Sequence, residues 1–92
     1  MKEDLLNIIN HYGINHQLKY IHSEYFELDE AIMNYEWAKY VNDDKKFIAG
    51  EIADIMVMLK QIQYLYEIED KQIEDIMKYK IKRQLERIDK EC

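Results

Sequence analysis

No proline interrupts this chain, and glycine occurs only twice, at Gly13 and Gly50. These two residue types end helices and open the tight turns of hairpins, so a sequence nearly without them favours a few long helices over a sheet. Apolar periodicity divides the chain accordingly. Leu5, Leu6, Ile8 and Ile9 predict a first helix over 2–12, stopped by Gly13 as its C-terminal cap. Asn15 is placed to cap a second helix reaching about Tyr40. Its apolar stripe, Leu18, Ile21, Tyr25, Leu28 and Ile32, advances in steps of three and four. The run "NDDKK" at 42–46 reads as a loop in which Asp43 or Asp44 caps a third helix to about Tyr66, with Ile48, Ile52, Ile55, Leu59 and Ile62 inward. Glu69 or Asp70 opens a fourth helix that runs almost to the end, with Ile73, Ile76, Met77, Ile81, Gln84 and Ile88 on its inward region. The expected fold is all-α, a helical bundle of about four helices.

At 92 residues the chain has room for one domain, 1–92, and buries only a limited fraction of its surface, so assembly into an oligomer is expected. Apolar residues make up 48% and charged residues 35%, the balance of an ordered chain rather than a disordered one. No apolar run approaches the length of a membrane span, and "MKEDLLNIINHYG" lacks the apolar core of a signal peptide. One thiol, Cys92, cannot form an internal disulfide, which fits a reducing, cytoplasmic location. The net charge of −6 is uneven: residues 1–77 hold 7 basic and 16 acidic side chains, residues 78–92 hold 6 and 3. An acidic body argues against a nucleic-acid polymer as partner. A basic terminal helix beside it suits something that needs both signs, such as a metal-bound phosphate.

Two acidic pairs concentrate that negative charge. "HSEYFELDEAI" places Glu24 and Glu27 three residues apart, and "GEIADIMVML" does the same with Glu51 and Asp54. At 100° per residue both pairs border the apolar stripe of their helix, and the side of the second pair continues through Met58, Gln61 and Leu65. An i, i+3 acidic pair is ordinarily a solvated face. Two on successive helices, each at the edge of the core, bring four carboxylates into one half-buried cleft if the helices pair. Uncompensated, they would oppose folding. Oxygen-only ligands with strong negative charge suit a hard divalent ion, Mg²⁺ or Mn²⁺. The absence of histidine or cysteine from the set disfavours zinc. A di-iron site needs Glu-x-x-His pairs, and the residues three before His11, His16 and His22 are Ile8, Gly13 and Lys19.

With these residues in view, "SEYFELDEAI", a spacer of 23 residues after Glu27, and then "EIAD" resembles the MazG-like all-α nucleoside triphosphate pyrophosphohydrolases, whose pattern is E-E-x-x-E followed by E-x-x-D. "INHQLKYI" and "YKIKRQLERI" extend the likeness over most of the chain. The resemblance implies Mg²⁺-dependent hydrolysis of ribo- or deoxyribonucleoside triphosphates to monophosphate and pyrophosphate, a housecleaning role in the nucleotide pool. Carried over by position, Glu24, Glu27, Glu51 and Asp54 are the metal ligands and catalytic acids. The chain departs from the pattern at its first position, where Ser23 stands in place of a glutamate. The family's habit of assembling as dimers or tetramers, with sites completed between subunits, is implied with the rest.

Elsewhere the residues fill in the same picture. Lys80 projects within the inward region of the fourth helix, with Arg83 and Arg87 along its edge, as expected of phosphate ligands, although a lysine so placed can also reach solvent along its stem. The resemblance implies that the start of the second helix, with His16, Gln17 and Tyr20, is the base-binding side. Trp37 can stack on a base or on a partner subunit, although aromatics at helix spacing, Tyr25, Phe26, Tyr35, Tyr64 and Tyr66 with it, ordinarily read as core, and Met56 and Met58 read as gap-filling core. Two other readings stand beside the enzyme: a metal- or nucleotide-binding module of the same fold weakened by Ser23, and a helical interaction protein whose acids are merely solvated.

Overall fold

A computed structural model describes residues 1–91 of the 92; Cys92 lies outside the described residues. Helix α1 spans Lys2–Tyr12, α2 Ile14–Ala38, α3 Lys46–Leu65 and α4 Asp70–Glu91. Helices α1, α2 and α3 pack on one another, and α2 and α3 run antiparallel along most of their length. No strand occurs among the described residues, and no helix there is long and apolar enough to cross a membrane.

The joints follow local chemistry. Gly13 has φ 87 and ψ 154, a conformation essentially closed to side-chain-bearing residues. It ends α1, donating its N–H to the Ile9 carbonyl at 2.7 Å, and its own carbonyl accepts from Gln17 N–H at 3.1 Å to start α2. The expected cap at Asn15 is therefore a second-position helical residue, because one glycine serves as both terminus and start and leaves no loop for Asn15 to close. Before α3, Asp44 Oδ1 accepts from the Lys46 N–H at 3.0 Å, the local bond a capping aspartate makes. After α3, Glu67 takes φ 57 in the left-handed region. Its N–H donates to the Tyr64 carbonyl, and the Ile68 N–H to Gln63, in the manner of a helix C-terminal cap. The buried Gln63 side chain ties this corner by donating to the Ile68 carbonyl at 3.0 Å and to Asp70 Oδ1 at 2.7 Å. Lys60 Nζ reaches the same carboxylate at 2.6 Å.

The seam between α2 and α3 is layered. Ile21, Ile55 and Met58 form an apolar centre with Leu28 packed against it. On one side of it lies an amide layer, Gln17 with Gln61, and on the other an acid layer, Glu24 with Glu51 and Asp54. Leu5 and Ile9 complete the buried apolar set from α1. The buried seam of α2 is thus Gln17, Ile21, Glu24 and Leu28, rotated from the expected Leu18 to Ile32 stripe: Leu18, Tyr25 and Ile32 are exposed. On α3 the same rotation buries Ile55 and Met58 and leaves Ile52, Leu59 and Met56 exposed. The apolar face of each helix is wider than one neighbour can cover.

Helix α4 differs most from expectation. Beyond the ties at Asp70 it packs against no other helix, and none of its residues is buried. Its apolar row, expected to face inward, is exposed at Ile76, Met77, Ile81 and Ile88, and Leu85 is exposed as well. A groove of about 470 Å³ separates it from the exposed flank of α3. The radius of gyration is 16.7 Å, against about 12 Å for a compact domain of this length.

Candidate metal centre and the groove beside it

Antiparallel pairing of α2 and α3 carries Glu24 to Glu51 and Asp54. One carboxylate oxygen from each of the three lies within 4.8 Å of the others. Glu24 is 3% exposed, Glu51 half-buried and Asp54 exposed, so the group opens from the core to solvent. Glu24 Oε2 and Glu51 Oε2 are buried without a hydrogen-bond partner. The ion pairs among the described residues join Lys39 to Glu36, Lys60 to Asp70, Lys71 to Asp75 and Lys78 to Glu74, and none involves this group.

Burial and mutual repulsion set its electrostatics. Burial raises the Glu24 carboxyl to about 7, with the charge of Glu27 and then the neighbouring Glu51 adding to it. Burial also raises Glu51, and Glu27 and Asp54 push the same way. The Tyr20 phenol is raised chiefly by the Glu24 charge beside it. Carboxylates held close, desolvated and without cations meet the requirements of a hard divalent ion, because two buried oxygens lack any other partner and every donor is oxygen. Glu24, Glu51 and Asp54 could hold a metal ion.

The four expected acids do not stand equal. Glu24, Glu51 and Asp54 form the close group; Glu27 is exposed, one turn along α2, and acts on it through its charge. Three residues turn a helix by 300°, so Glu27 points 60° away from Glu24. Ser23 is exposed. The basic residues expected at phosphate, Lys80, Arg83 and Arg87, sit exposed on α4, which the fold does not bring against the acid layer of its own chain.

At the opposite end of the seam, the expected base-binding residues do come together. His16, Gln17 and Tyr20 line a groove of about 420 Å³ with Tyr12, Met58, Gln61 and Ile8, a size in the range of small-molecule sites. Gln17 and Gln61 are buried and bonded, Gln17 Nε2 donating to Gln61 Oε1 at 2.8 Å. His16 Nδ1 lies 2.8 Å from Gln17 Oε1. The rings of Tyr12, His16 and Tyr20 form a near-parallel column, with centroids 4.9 and 6.4 Å apart and interplanar angles of 17° and 13°. Tyr12 and Gln61 were not among the expected site residues. Gln61 carried a signal, standing seven residues beyond Asp54 on the same side of α3; Tyr12, the last residue of α1, carried none. Gln17 to Glu24 on α2 and Gln61 to Asp54 on α3 are both seven-residue steps, so groove and acid layer lie about 10 Å apart along the seam.

Of the nine side chains buried among the described residues, four are polar: Gln17, Glu24, Gln61 and Gln63. Gln63 braces a turn. The other three face the groove or the acid layer, which a fold built for stability alone would fill with apolar residues. No family model, no curated protein and no solved structure matches the chain.

Proposed function

We propose that this chain is a divalent-metal-dependent nucleoside triphosphate pyrophosphohydrolase of the MazG-like kind, releasing monophosphate and pyrophosphate. The observation that carries the reading is the pair of buried, unpartnered oxygens of Glu24 and Glu51 facing Asp54, on the same seam as a groove walled by stacked aromatic rings. A nucleotide with its base in the groove directs its phosphates toward the acids. When bound, Mg²⁺ or Mn²⁺ supplies neutralisation of phosphate charge and a more acidic attacking water. Glu24, Glu51 and Asp54 would hold it, and exposed Glu27 is placed to take part from the rim. Ser23 adds a neutral hydroxyl where the MazG-like pattern has a carboxylate, which lowers the negative charge available there.

The cations come from a second copy of the chain. The accessible surface is 7894 Å², whereas a folded chain of 11.3 kDa exposes about 5,700 Å². The excess, about 2,200 Å² per chain, is the scale that obligate dimers bury. The partner's α4, basic over residues 78–91 and bearing an uncovered apolar row, complements an acidic body whose α2 and α3 flanks are also uncovered. Seated there, it would carry Lys80 and Arg83, with Arg87 beyond, toward phosphates held at the acid layer.

Product analysis tests the reading. The protein is incubated with a panel of ribo- and deoxyribonucleoside triphosphates and Mg²⁺ or Mn²⁺, with Glu51→Gln in parallel. Monophosphate and pyrophosphate in equimolar amounts, reduced at least about a hundredfold in the variant, is the expected result. No turnover of any triphosphate by the folded, metal-supplemented protein removes the enzyme reading. Metal- and nucleotide-dependent stabilisation in that case leaves the binding module, which Ser23 favours.

A further inference from the structure

One buried polar group near the groove keeps hydrogen-bonding capacity that no strong partner takes up. Gln61 is 2% exposed. Its Oε1 accepts from Gln17, but its Nε2, with two N–H groups, meets only the Met58 thioether sulfur at 3.8 Å, a weak acceptor. Gln17 Oε1 lies against His16 Nδ1 and one Nε2 N–H is given to Gln61, while its nitrogen also stands 3.9 Å from the same Met58 sulfur. At its deep end the groove therefore holds N–H groups that lack a strong acceptor, whereas each amide oxygen already has one partner, and Tyr12 and Tyr20, half-exposed, form its mouth. Stacking rings outside and unmatched amide N–H groups inside suit a planar heterocycle whose inner edge carries a carbonyl. An exocyclic amino group in that place would set N–H against N–H and leave the amide nitrogens without a strong acceptor, a mismatch that polar sites reject.

We propose that Gln61 is a specificity-determining residue that selects oxo-nucleobases, such as uracil and hypoxanthine, over the amino-nucleobases cytosine and adenine. Gln17 is its positioning residue, holding the Gln61 amide so that nitrogen faces the ligand. This rests on the nucleotide reading above and adds to it the chemical class of the base.

The test uses nucleosides without phosphate and protein without metal, so that only the groove is probed. Uridine against cytidine, and inosine against adenosine, are titrated while the side-chain amide resonances of the ¹⁵N-labelled protein are followed. The oxo member of each pair binds about fivefold tighter or better, and the Gln61 amide signal moves on its addition. Gln61→Glu, which presents acceptors only, reverses the preference; Gln61→Leu, in case the added charge unfolds the chain, brings the members within about twofold. Equal or tighter binding of the amino nucleosides, binding of none, or an oxo preference that survives Gln61→Leu overturns the proposal. Triphosphate hydrolysis with no base preference would remove this inference and leave the hydrolase reading standing. Oxo selection by the metal-free protein without turnover of any triphosphate does the reverse.

Discussion

At the scale of single residues, Glu24 is the most consequential side chain. Its carboxyl is raised from an ordinary 4.5 to about 7, first by burial. Between those values the folded chain binds a proton that the unfolded chain has lost, so stability declines as pH rises. In chelator, urea unfolding is expected to give a stability about 1–3 kcal/mol lower at pH 7.5 than at pH 4.5 from this group. Glu24→Gln should flatten that slope. Added Mg²⁺ or Mn²⁺ should stabilise the parent more at the higher pH, because ligation needs the carboxylate; a parent whose stability rises with pH and ignores metal would contradict the site. Asp70 has the opposite sign, since Lys60, then Gln63, hold it below the usual carboxylate range, and its contribution is lost as pH falls. The acids were legible as two i, i+3 pairs. Which member of each pair turns inward was not, since each pair straddles the apolar edge by 60° and only the partner helix decides.

Among the elements, boundaries were readable where glycine or aspartate marked them, and the faces were less so. Period fits the stripe through Leu18 as well as the one through Gln17, and both share Ile21 and Leu28. The buried choice includes a glutamine and a glutamate, which hydrophobicity alone would not select. Two turn residues make contrasting predictions. Gly13→Ala has open space for its methyl group but must hold φ 87, and should cost about 1–3 kcal/mol by thermal or urea unfolding. Glu67→Gly relieves a left-handed glutamate at the end of α3 and should add about 0.5–1 kcal/mol. Equal effects of the two would mean these joints are not set by backbone conformation.

For the whole molecule, amphipathicity announced that α4 needs a neighbour but not whose. With i, i+4 pairs such as Lys71–Asp75 and Glu74–Lys78 as its main internal support, an uncovered helix of this length is marginal. Amide exchange in α4 should therefore slow markedly as protein concentration rises, while α1 to α3 change little. Ile81→Glu should give a monomer in sedimentation with the stability of α1 to α3 unchanged within about 0.5 kcal/mol, because Ile81 is exposed on a helix that packs against no other helix of its own chain. A dimer surviving that substitution would place the interface elsewhere. The layered seam carries one more consequence, for how the hairpin of α2 and α3 finds its alignment. A slide by one heptad, the smallest shift that keeps the same sides facing, would set Glu24 against Met58 and Gln61 and part its carboxylate from Glu51 and Asp54. Amide, apolar and acid layers in that order act as a key with a single fit, so the groups that would handle a ligand also exclude the misaligned hairpin.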